Sequence, residues 1–274
     1  MKIIDAQIHL WTKEHAVVVP PHRTEPFGIE EALQEMDAAG VYGAIVHPPH
    51  WDPDSHALAI EAATRCPDRF AILGRIEPDD PDRLERLSTW TSQPGVRGLR
   101  YTFLEPHEKS WLDDGTLDWL WPAAEGLGIP VALLADGFLP QFARLAEQHP
   151  GLKLILDHFG VRRGNLDEAA FASLPEVLAL AKYPNVAIKT TGGPQYVSDP
   201  YPFVSLQDRY RAIHDAFGPR RMFWGTDITR MPCTWSECVT AFAEHQPWLP
   251  PEDKPWIMGR AIAQWIGWER QDWC

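Results

Sequence analysis

Eight short apolar runs, each followed by room for a helix and its loops, constrain this chain more than any other feature. They cover residues 2–6, 43–47, 71–76, 96–101, 130–135, 153–158, 185–189 and 221–224. Several are nearly continuous in Val, Ile, Leu and Ala. Strands buried on both faces read this way, and parallel strands are buried on both faces because crossover helices cover the sheet. Six intervening stretches, 30–39, 55–65, 82–91, 138–148, 206–217 and 234–245, carry helical signals. The first stops at Gly40, the second follows Asp52-Pro53-Asp54, and the fifth ends at Gly218-Pro219, as helix capping requires. Strands alternating with helices predict a parallel sheet of the α/β class. Eight units within 274 residues predict a closed (β/α)8 TIM-type barrel, with residues 1–274 forming one domain. An open doubly wound sheet would carry a glycine-rich first turn, and none follows the first run.

Charge narrows the partners. Asp and Glu number 38 against 25 Lys and Arg, a formal net charge of −13. Such a surface repels phosphate backbones and anionic bilayers, so neither nucleic acid nor a membrane is expected as a partner. No run approaches the ~20 apolar residues of a membrane helix, and the apolar start is too short for a signal peptide. Cys66, Cys233, Cys238 and Cys274 are scattered without a CxxC, which argues against a disulfide framework and against a cysteine-ligated zinc. A reduced, cytoplasmic protein is expected. Tryptophan is abundant and reads mainly as packing between helices and barrel or between subunits. Trp265, Trp268 and Trp273 near the C-terminus suit a homo-oligomer interface, or equally a cover over the barrel's own helices.

A barrel of this kind places its chemistry at the C-terminal ends of its strands. There the sequence sets Asp5, Gln7 and His9, then His47 with His50 and Trp51, Arg75 with Glu77, Arg100, Asp136, Asp157-His158, Lys189, and Asp227. Any one of these has a bland explanation as an ion pair or a helix cap; Asp227 in particular can cap the segment after it. A titratable residue at almost every strand mouth reads instead as a site. Arg100, Arg75 and Lys189 are candidate binders of a substrate carboxylate, so a small, anionic substrate is expected. The alternative for these cations is internal pairing with Asp136, Asp157 or Glu77. His47, His50 and Trp51 are candidate pocket-lining residues. The irregular stretches 12–28, 161–172 and 192–205 are long for a compact domain, and such loops often serve the site.

Three segments, Asp5-Ala6-Gln7-Ile8-His9, Leu156-Asp157-His158-Phe159-Gly160 and Trp224-Gly225-Thr226-Asp227, stand in order at strand ends. In this arrangement the chain resembles the amidohydrolase superfamily, in the branch of 2-pyrone-4,6-dicarboxylate lactonase and the sugar lactonases. Residues 253–268, with Ile257-Met258-Gly259-Arg260-Ala261, are similar to that branch's closing helix and imply an extra C-terminal helix. Arg260 stands where family members often carry Asn. Two departures bear on metal. The superfamily's usual His-x-His is Gln7-Ile8-His9 here, and Ala135-Asp136-Gly137 offers neither His nor Lys after the fifth strand.

The resemblance implies Asp227 as general base, with His9 and His158 polarising a carbonyl or orienting water. No metal is expected; the alternative is a zinc or manganese held through His9, Asp227 and Asp136. Opening a lactone requires only a base for water, donors for the oxyanion and a proton for the leaving oxygen. Hydrolysis of a cyclic ester by Asp-activated water is therefore the expected activity. Two rivals stand beside it. One is a metal-dependent amidohydrolase or decarboxylase of the same superfamily. The other is a barrel that has lost catalysis and only binds a ligand, against which stands the retention of Asp227, His158 and His9.

Overall fold

The computed structural model describes residues 1–15, 23–161 and 164–269. All eight predicted strands form, as β1 (Ile3–Ile8), β2 (Val41–Val46), β3 (Phe70–Gly74), β4 (Val96–Thr102), β5 (Val131–Leu134), β6 (Leu154–Leu156), β7 (Val186–Thr191) and β8 (Met222–Gly225). They make one sheet in sequence order, with every neighbouring pair parallel. Helices α1 (Ile29–Ala39), α2 (Ser55–Arg65), α3 (Arg83–Thr89), α4 (Leu120–Leu127), α5 (Leu139–Gln148), α6 (Asp167–Ala170), α7 (Leu174–Ala179), α8 (Leu206–Phe217) and α9 (Trp235–Ala243) lie between and after the strands, and α10 (Ala261–Trp265) follows. Three differences from the sequence reading concern helices. α4 was not expected, because Pro122 and Gly126 within it obscure its periodicity; α6 falls inside the predicted loop 161–172; and the six-residue α7, with Pro175 in its first turn, was not expected either.

Alternation along the strands sorts side chains into two apolar layers. Val131 and Leu133, Leu154 and Leu156, and Val186 and Ile188 face the helices. Ala132, Ile155, Ala187, Ile45, Ala71, Leu73 and Phe223 fill the barrel interior together with Ile262, Ala263, Ile266 and Trp268 from the C-terminal segment. That segment therefore packs into the barrel's interior layer. Gly259 lets it approach, since a Cβ there would stand 2.6 Å from the Lys2 carbonyl oxygen. The predicted closing helix is thus present but short, preceded by a wide π-type turn at Trp256–Arg260. Trp268 is buried and donates from Nε1 to the Pro67 carbonyl at 3.3 Å, and the half-buried Trp265 lies 5.9 Å from the Phe223 ring. Both tryptophans cover the barrel's own base, which removes Trp268 as an exposed oligomer contact. Trp273 and Cys274 lie outside the described residues.

The seam between β1 and β8 closes partly through a side chain. The Asp227 backbone N–H donates to the Gln7 carbonyl at 2.9 Å. Beside it the buried Asp5 carboxylate accepts from the Thr226 N–H at 2.8 Å, the Thr226 hydroxyl at 2.5 Å, the Gln7 N–H at 3.0 Å and Trp235 Nε1 at 2.9 Å. Burial pushes the Asp5 pKa up to about 6, against the pull of these donors. Gly225 is required here, because a Cβ would meet Ala6 N, Asp5 Oδ1 and Thr191 Cγ2, each at 2.7 Å. Among the described residues no helix is long and apolar enough to cross a membrane.

Replacing Asp5 by Asn puts an amide N–H where the carboxylate accepts, and strands at least one buried donor. A loss of about 3 kcal/mol is expected, read as a fall in Tm of roughly 6–12 °C, with the far-ultraviolet spectrum unchanged before melting.

Candidate active site

The period of two decides which residues enter the mouth. Ala187 faces the interior, so Lys189, two residues on, does too; the same step carries Ile45 to His47 and Ile155 to Asp157. Between Leu99 and Tyr101 of the outer layer, Arg100 points inward. His9, His158 and Asp227 follow their strands directly. His158, Phe159 and Asp227 have φ of 50°, 58° and 56°, a left-handed backbone that non-glycine residues rarely adopt outside functional turns.

Asp227 is the centre of the cluster. It is buried, and neither carboxylate oxygen accepts a hydrogen bond from the described residues. It starts a short helical turn (Ile228–Arg230) without capping it through its side chain, so the capping role considered from sequence is not what holds it. His9 Nε2 stands 3.2 Å from Oδ1 and His158 Nε2 stands 3.9 Å from Oδ2. Burial alone would raise this carboxyl's pKa, yet the His9 imidazole beside it, ahead of any other group, holds it well below the usual carboxylate range, so it is ionised. His9 Nδ1 lies 2.6 Å from the His47 carbonyl and therefore carries a proton. His158 is held on both sides, by Gln7 Nε2 at 2.9 Å from its Nε2 and by the Thr191 hydroxyl at 2.9 Å from its Nδ1.

Beneath Asp227 lies a second carboxylate, Asp157, shared by two cations. Arg100 Nε donates to Oδ2 at 2.6 Å and Lys189 Nζ stands 3.0 Å from Oδ1. Burial opposes the charge on Asp157, but Lys189 and Arg100 hold its pKa well below the ordinary range. Burial pushes Lys189 down to about 8. Lys189 also reaches Gln7 Oε1 at 3.2 Å and His47 Nε2 at 2.9 Å. Burial, then the Lys189 charge, keeps His47 far below its usual pKa and neutral.

The other predicted residues stand apart from this cluster. Arg75 is paired with Glu77 at 3.0 Å and Glu108 at 2.9 Å, and its guanidinium lies 5.1 Å from the Trp111 ring centre. The exposed His50 stands 3.5 Å from Glu77. Trp51 stacks on His15 with ring centres 4.1 Å apart. Internal pairing, the alternative reading of the cations, thus describes all three. Arg100 still differs from the others: its pairing with Asp157 uses Nε, its terminal nitrogens meet no partner among the described residues, and its side chain is 11% exposed. Two contributors were overlooked in the sequence. Gln7 stood out only as a lost ligand, yet it links Lys189 to His158. Thr191 was not considered, although it lies two residues past Lys189 on one strand and so shares its face.

The residues do not fit the zinc or manganese site considered from sequence. Among the described residues no three His, Cys, Asp or Glu side chains converge as ligands. Asp136 is half-buried in the turn after β5 and does not complete a set with His9 and Asp227.

Comparison with known proteins agrees with this architecture. The amidohydrolase family model matches residues 4–268. L-fucono-1,5-lactonase of Burkholderia ambifaria is 25% identical over 259 residues, which span 90% of this chain and 85% of the relative. A crystal structure of an amidohydrolase from Burkholderia multivorans with bound zinc has a TM-score of 0.83 at 19% identity, covering 97% of this chain and 99% of the other. A probable 2-pyrone-4,6-dicarboxylic acid hydrolase from Acinetobacter baumannii with citric acid bound has a TM-score of 0.77 at 17% identity, covering 97% and 100%. At such identities the two structures speak for the barrel alone.

Exchange of Asp157 for Asn leaves Arg100 and Lys189 facing each other without a counter-charge, and a loss of about 3–5 kcal/mol is expected from thermal or denaturant unfolding. The pH dependence follows from the depressed pKa. The pairing's stabilisation is complete above the unfolded carboxylate value of about 3.9, drains away as pH falls below it, and loses the Lys189 share where that ammonium, pushed down to about 8, gives up its proton. The wild-type advantage over Asp157→Asn should therefore be full at neutral pH, shrink in stronger acid and weaken again in alkali.

Proposed function

This chain belongs to the amidohydrolase family, and on that footing we propose that it hydrolyses a lactone of a small, carboxylated substrate with water activated by Asp227. The observation that carries the reading is the Asp227 carboxylate itself: ionised, buried, flanked by two imidazoles and free of hydrogen bonds from the described residues. A carboxylate so placed accepts a proton from water as that water adds to the ester carbonyl. The ring C–O bond then breaks, and the proton held by Asp227 passes to the leaving oxygen. His9, the more exposed of the two imidazoles, polarises the carbonyl, while His158 stays fixed beside the base. The similarity to L-fucono-1,5-lactonase supports an ester ring as the bond cleaved.

Arg100 is the seat for the substrate's anionic group. Asp157 anchors its Nε, which leaves the two terminal nitrogens of the fork for a carboxylate. No step is assigned to a metal. We read it as a cytoplasmic enzyme.

The test is metal content of protein purified without added metal, alongside hydrolysis of a lactone panel before and after chelation. Turnover without stoichiometric metal is expected, and Asp227→Asn should lower kcat by about 10²–10⁴-fold. One bound metal per chain, with turnover lost to the chelator, would overturn this mechanism in favour of a metal-dependent relative. Arg100→Met should raise KM for carboxylated lactones by roughly tenfold to a hundredfold, the equivalent of about 1.5–3 kcal/mol for a charged hydrogen bond. Unchanged KM would remove the anion from the reading.

A further inference from the structure

Lys189 is completely buried and is spoken for on every side. Its Nζ lies within 3.2 Å of three acceptors: Gln7 Oε1, His47 Nε2 and Asp157 Oδ1. An ammonium has three protons and no lone pair, so it can only donate. That fact settles the neighbours in turn. The Gln7 oxygen must face Lys189, so its NH2 faces His158 Nε2 at 2.9 Å. An amide NH2 also only donates, so His158 Nε2 is the acceptor and carries no proton. The ring proton sits on Nδ1, where the Thr191 carbonyl at 3.3 Å receives it.

We propose that Lys189 is a positioning residue that acts through Gln7 to occupy the Nε2 lone pair of His158, so that of His158 and Asp227 the carboxylate is left as the base. The proposal rests on the reading of Asp227 as the reacting group and supplies what that reading lacks. A histidine and a carboxylate 3.9 Å apart could each take a proton from water. The lone pair of His158 is already engaged by the Gln7 amide, whereas both oxygens of Asp227 are unengaged by the described residues. The glutamine amide serves the device from a single end, presenting an acceptor to the lysine and a donor to the next imidazole.

The test is the ring 15N spectrum of His158 in uniformly labelled protein without substrate, the signal being identified by its loss in His158→Gln. In the wild type Nδ1 should resonate as protonated, and Nε2 as unprotonated and hydrogen-bonded. Gln7→Leu removes the donor directly, and Lys189→Met removes the group that aims it while keeping the volume. Each should move Nε2 toward the position of an unbonded ring nitrogen. The double variant should move it no further than either alone, since both act on one link. Should Lys189→Met fail to fold, Asp157→Asn/Lys189→Met removes the lysine together with its counter-charge, leaves only the partly exposed Arg100 without a partner, and replaces it in the comparison. A proton on Nε2 in the wild type, or an Nε2 signal unmoved by folded Lys189 and Gln7 variants, would overturn the proposal. The measurement contains no lactone, so a protein that opens none would sink the functional reading and leave this result standing on its own.

Discussion

A carboxylate held away from water between two cations is the constraint around which the mouth of this barrel is arranged. Asp157 has no route to solvent, so its charge is tolerable only because Arg100 and Lys189 both meet it. Satisfying that charge fixes the guanidinium of Arg100 by one edge and the ammonium of Lys189 at the barrel axis. From Lys189 the order passes to Gln7 and His47, and from Gln7 to His158. The positions around Asp227 are thus consequences of an ion pair one layer beneath it. Removing one partner costs far more than the pair contributes by itself, which is the general behaviour of buried charge.

The proposed reacting centre inverts that economy. Asp227 is as buried as Asp157, but its oxygens are kept clear of hydrogen bonds from the described residues. His9 is the nearest group to compensate its charge, with Arg230 contributing from the turn that follows. The left-handed backbone at Asp227 and at His158 is the local strain that such placement requires, and the surrounding sheet holds it.

Much of this was legible in the chain itself. Continuous apolar runs gave every strand, because parallel strands bury both faces and leave an unbroken trace in sequence. Periodicity of two then placed Lys189, Asp157, His47 and Arg100 inward once their strands were known. What the sequence concealed was pairing. Lys189 and Arg75 read as ligands for a substrate because a cation at a strand mouth looks the same whether or not a carboxylate from elsewhere, Asp157 or Glu108, meets it. Gln7 was legible only as an absence, a missing histidine. Its value lies in having a donor and an acceptor at one end, which matters only beside Lys189, 182 positions away. Helix α4 was hidden for a different reason: packing overrides the poor propensity of Pro122 and Gly126.

The seam at Asp5 carries a consequence for the order in which this molecule can be completed. Asp5 stands on the first strand of the barrel, and three of its four bonds come from Thr226 and Trp235, beyond the last strand. The interior layer is likewise filled in part by Ile262, Ala263 and Ile266. A nascent chain therefore carries an open ring, with the free edge of its first strand unpaired, until β8 and the segment after it have been synthesised. Half-barrels made on the way have no means of sealing themselves. The quality of the finished ring depends on how well that early edge is kept from other partners while it waits.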